Sequence, residues 1–138
     1  MEIAESIEEC KKLQNNLVFM EDENAISMRN TKIRFEGTHN LLYFEEGVEL
    51  NNCNFLFAGN NAIIYLFGNS MPYCLSGHVS NNSVIYLGKN IYTNIGGRLS
   101  MSATECQNIL MAGDSLVAPG VCMRTADPHL VYDCHTRE

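Results

Sequence analysis

The chain has 138 residues, a formal net charge of −7, and 46% hydrophobic, 18% charged and 9% aromatic residues. That length fits one domain or a slice of one, and the balance is too apolar for disorder. Its sign repels phosphate backbones and anionic membrane surfaces, which argues against general nucleic-acid binding.

The N-terminus, MEIAESIEEC, is acidic and lacks the apolar stretch of a secretory signal. The longest apolar run, residues 62–67, is far too short to span a bilayer. A cytoplasmic chain with no membrane span is therefore expected. Its six cysteines (Cys10, Cys53, Cys74, Cys106, Cys122 and Cys134) show neither a CxxC pair nor a Cys/His cluster at zinc-ligand spacing. They read as reduced, buried thiols, with no metal site.

Ile3, Ile7, Cys10 and Leu13 are spaced 4, 3 and 3, one stripe of a short amphipathic helix. Residues 1–20 are expected to form a helical cap over a body of residues 21–138. That body repeats. Residues 61–66 (NAIIYL) recur at 82–87 (NSVIYL), with Leu41–Phe44 one period earlier and Ile109–Ala112 one period later. A glycine closes each unit (Gly47, Gly68, Gly88 and Gly113), and Asn/Gly pairs mark the intervening corners. Such corners demand positive φ, which Asn and Gly tolerate. A period near 20 predicts a parallel β-helix, because one coil cannot bury its own apolar face and stacking does so. The competing architecture is a meander sandwich. In the stacked register Cys53 lies over Cys74, and the surplus of about five residues in the 25-residue interval that contains residues 98–105 is expected to bud from a corner as a loop.

The run Met111–His129, with Gly113-Asp114, Ala118-Pro119-Gly120-Val121 and Arg124-Thr125-Ala126-Asp127-Pro128-His129, resembles the signature of hexapeptide-repeat acyltransferases. The closest branch looks like the bacterial exopolysaccharide, capsule and lipopolysaccharide O-acetyltransferases. The resemblance covers roughly residues 30–133. It implies an all-β, left-handed parallel β-helix, a hand that periodicity alone leaves open. It also implies a homotrimer, acetyl-CoA as co-substrate, and transfer of its acetyl group to a sugar or polysaccharide hydroxyl. A right-handed β-helix that binds carbohydrate, or a non-catalytic scaffold, are the alternatives.

His129 matches the family's catalytic histidine. An imidazole suits the removal of a proton from the attacking hydroxyl at neutral pH. Asp127 would orient it or touch the acceptor. Arg124 and Asn94 are the candidate substrate-binding residues. Tyr65 and Tyr86, one period apart, suit a sugar platform or a structural ladder. Family members continue with further coils after the histidine loop, so these residues are expected to be an N-terminal portion with little acyl transfer alone.

Overall fold

The structure is a computed structural model that describes residues 1–69, 71–93, 98–118 and 120–126. Asn94, Asp127 and His129 lie outside the described residues. The expected β-helix is present. Five coils wind as three strands each at most, and equivalent strands of successive coils pair in parallel.

One wall is a sheet of β2 (Leu17–Met20), β5 (Leu41–Phe44), β8 (Ile63–Leu66), β10 (Val84–Leu87) and β13 (Asn108–Met111). Ile64 lies over Ile85 and Tyr65 over Tyr86, the 21-residue shift read from the sequence. A second wall holds β4 (Lys32–Phe35), β7 (Asn54–Phe57), β9 (Leu75–Val79), β12 (Leu99–Ala103) and β15 (Cys122–Arg124), again parallel. The third wall is broken into the pairs β3 (Ser27–Arg29) with β6 (Glu49–Asn51) and β11 (Ile91–Thr93) with β14 (Ser115–Val117).

Alternation in the strands sends every second side chain inward. Leu42, Ile64 and Ile85 form one fully buried column and Phe44, Leu66 and Leu87 the next. They face Ile33, Phe55 and Phe57 of the second wall, where Phe35 stacks on Phe57 at 4.6 Å. Phe55 and Ile64 meet above Gly77, whose missing Cβ would stand 3.3 Å from both side chains.

The corners divide the labour between Asn and Gly. Positive φ falls mainly on Asn30, Asn52, Asn61, Asn82 and Asn90. Gly37 and Gly59 serve a different need, because a Cβ on Gly37 would come within 2.1 Å of the Gly59 carbonyl oxygen one coil on. Inside a corner, buried Asn40 donates to Asn16 Oδ1 at 3.0 Å and to the Gly59 carbonyl at 2.9 Å, and its own Oδ1 accepts from the Ala62 amide. A polar ladder of this kind satisfies backbone groups that the corner strips from the sheets.

Three expectations need correction. The N-terminal helix is a single turn, α1 (Ile7–Cys10), capped by Ser6. Ile3 instead belongs to β1 (Glu2–Ala4), which pairs antiparallel with β4. The free edge of the first coil offers unpaired backbone groups, and a strand satisfies them better than a helix can. Leu17–Met20, assigned above to the cap, is already the first strand of the coils. Second, residues 99–103 are not a loop but β12, in register beneath β9. Third, Cys53 and Cys74 occupy neighbouring coils but not one column. Leu50 pairs with Tyr73 and Asn54 with Ser76, shifts of 23 and 22 in place of the expected 21.

Candidate functional site

The outward faces of the two long walls differ in chemistry. On the first wall nine of the ten outward positions are apolar or aromatic, Asn108 being the exception. Phe19, Tyr43, Tyr65 and Tyr86 stack along the axis with centroids 5.0, 4.3 and 5.3 Å apart. The Tyr43–Tyr65 planes are only 7° apart. Ring faces turned on one another leave mainly edges to solvent. A saccharide packs on an open ring face, so Tyr65 and Tyr86 serve the ladder rather than a sugar platform. The Tyr43 hydroxyl donates to Glu21 Oε1 at 2.7 Å. That bond is the main cause holding the Glu21 carboxyl below its ordinary range and the Tyr43 phenol above its own.

The second wall is polar outside. One outward row reads Lys32, Asn54, Ser76, Ser100 and Cys122. The adjacent row reads Arg34, Leu56, His78 and Ser102 and ends at Arg124. None of these ten positions carries a carboxylate, in a chain whose net charge is −7. His78 and Ser102, one coil apart, are in hydrogen-bond contact through Nδ1 and Oγ at 3.2 Å. Lys32 holds an exposed ion pair with Glu5 at 3.5 Å; such pairs contribute only about 0–1 kcal/mol. Among the described residues Arg34 and Arg124 have no ion pair.

Beside the first row an open groove of about 450 Å³ follows the corner, lined by Asn30, Lys32, Asn52, Asn54, Cys74 and Arg98. Asn30 Nδ2 donates to Asn52 Oδ1, and the Arg98 guanidinium donates to the Asn52 carbonyl across the intervening coil. Buried Cys53 lines the same groove; its thiol donates to the Tyr73 carbonyl at 3.1 Å, and burial pushes its pKa up to about 11. It is a structural thiol, not a nucleophile. Asn54 Oδ1 and Arg34 Nε are buried with no partner among the described residues. Each such atom left unsatisfied costs about 1–3 kcal/mol.

Of His129, Asp127, Arg124 and Asn94, the structure describes only Arg124. It ends β15, exposed, in the row with His78 and Ser102. The polar wall itself was missed. Its signal was the pairing of His78 with a serine 24 residues later, one coil on, a spacing outside the expected 21. Among the described residues no group of His, Cys, Asp and Glu could hold a metal ion, and no helix is long and apolar enough to cross a membrane. No family model, no curated protein and no solved structure matches the chain.

Proposed function

We propose that the chain supplies acceptor-binding coils and the proton-accepting histidine for transfer of an acetyl group from acetyl-CoA to a sugar hydroxyl. The observation that carries this reading is the place of Arg124. The Ala-Pro-Gly-Val corner and Arg-Thr-Ala-Asp-Pro-His run leads through β15, and β15 closes the polar wall in register with Ser102 and His78. His129 follows Arg124 by five residues. A chain of that length reaches at most about 18 Å, so this reading requires the acceptor hydroxyl to lie within that distance of Arg124.

In this chemistry the acetyl thioester carbon is attacked by the sugar oxygen. The O–H proton passes to His129, the C–S bond breaks, and the proton is delivered to the departing CoA thiolate. A base of this kind contributes about 10²–10⁴-fold, and holding both reactants together contributes more. Asp127 would orient the imidazole; Arg124 and Asn94 would hold the acceptor. A homotrimer and a cytoplasmic location belong to the same proposal.

The test is His129→Ala, with release of free CoA followed in the presence of a sugar acceptor. The reading expects an unchanged melting temperature and a loss of about 10²-fold or more. Unchanged turnover would refute it. A second reading, a β-solenoid that binds carbohydrate without catalysis, is favoured by the amide and hydroxyl rows of the polar wall. It expects saccharide binding with no CoA release.

A further inference from the structure

We infer that the polar wall and its corner groove bind an acidic oligosaccharide, laid along the solenoid axis with its carboxylates against the arginines and lysine. The inference deepens the proposed function by naming the acceptor class, and it rests on that reading only for the chemistry that follows binding.

The charge distribution carries it. The chain has 16 acidic and 9 basic residues, yet the ten outward positions of the wall hold Lys32, Arg34 and Arg124 and no acid. Arg98 adds a fourth cation at the corner groove, where every other lining residue is an amide, a thiol or Lys32. Carboxylates stand at the wall's margins, among them Glu105, two residues beyond β12. Glu5 pairs with Lys32, and Glu36 follows the end of β4. Arg34, Arg98 and Arg124 have no ion pair among the described residues, and such cations on an acidic protein make a local field that selects anions.

The spacing fits a chain-like ligand. Lys32 and Arg34 stand on the first coil, Arg98 precedes the fourth-coil strand, and Arg124 stands on the fifth. Parallel strands about 4.8 Å apart set the end cations roughly 19 Å from one another. Between them the surface offers Asn54, Ser76, His78, Ser100 and Ser102, neutral groups that donate to and accept from hydroxyls. Of the three buried polar atoms without a partner among the described residues, Asn54 Oδ1 and Arg34 Nε belong to this wall and Asn69 Oδ1 does not. A nucleic acid is the poorer fit. No Phe, Tyr or Trp occupies the ten outward positions to stack a base, and the acidic remainder of the molecule repels a phosphate backbone.

The experiment titrates the 138-residue chain by calorimetry with three probes at low salt: an oligogalacturonate, a neutral malto-oligosaccharide of equal length, and a single-stranded RNA. The inference expects binding of the oligogalacturonate alone, weakening as salt rises. Arg34→Gln and Arg98→Gln, each checked for native circular dichroism, should weaken binding by about threefold to tenfold. Equal affinity for the neutral sugar would overturn the acidic specificity and leave saccharide acceptance standing. Tighter binding of RNA would replace the partner class. Acceptance of neither sugar would overturn the inference outright. Acetyl transfer to a neutral acceptor, measured separately, would then still uphold the proposed chemistry.

Discussion

Ile63 and Ile64 are adjacent, chemically identical and opposite in environment, so truncating each in turn tests the orientation of the wall. Ile64 is fully buried and meets Phe55 across the core, whereas Ile63 faces outward and is half-buried. Ile64→Ala removes three carbons, about 2.4 kcal/mol of transfer free energy at roughly 0.8 kcal/mol each. The cavity left between two stacked coils raises this within the range of about 2–5 kcal/mol for such truncations. Ile63→Ala should cost less than about 1 kcal/mol, because its site is open to water on one side. Urea unfolding followed by far-ultraviolet circular dichroism reads the difference. With a slope of about 2 kcal/mol/M, Ile64→Ala should lower the midpoint by more than about 1 M. An Ile63→Ala cost equal to or above that of Ile64→Ala would refute the assignment of inward and outward faces.

Two other perturbations follow from the same geometry. The Tyr43 hydroxyl lowers the folded pKa of Glu21, so this bond contributes stability above the ordinary carboxyl value of about 4.3. That contribution is lost as the pH falls through the depressed folded value. The stability gap between wild type and Tyr43→Phe should therefore close in acid; a gap that widens there would contradict the bond. Cys10 and Cys53 are buried, and burial raises each thiol to about 11, while Cys106 and Cys122 are exposed. Iodoacetamide near neutral pH, read by peptide mass spectrometry, should modify the exposed pair and spare the buried pair. For the buried pair the folded pKa lies above the unfolded value of about 8.5, so stability should decline as the pH rises from there through about 11. Stability that holds or grows across that interval would contradict their burial.

The stacking of coils was legible because it is written as identity: residues 61–66 and 82–87 share a pattern that only vertical neighbours need. Which face points inward was not, since Leu41/Leu42 and Ile63/Ile64 present apolar side chains to both sides. The reason is the outer aromatic ladder, which makes the first wall apolar on both faces. Residues 99–103 (LSMSA) read as a loop because small side chains alternate there with Leu99, Met101 and Ala103, and only the register beneath β9 shows them as a strand. Ile3 matched a helical stripe by spacing alone, yet β4 offered it a strand partner, and tertiary pairing outweighed local periodicity. The histidine loop and Asn94 fall outside the described residues. The polar wall escaped notice because no single residue in it is unusual; its meaning lies in which neutral and basic groups one coil sets beside the next.

Inter-strand nuclear Overhauser contacts in the isotopically labelled chain test the winding itself. Parallel stacking requires backbone contacts joining Ile63–Leu66 to Val84–Leu87 in step, and Leu41–Phe44 to Ile63–Leu66 likewise. Contacts running in opposite order between these segments, as hairpins produce, would contradict the coils, and with them the polar wall.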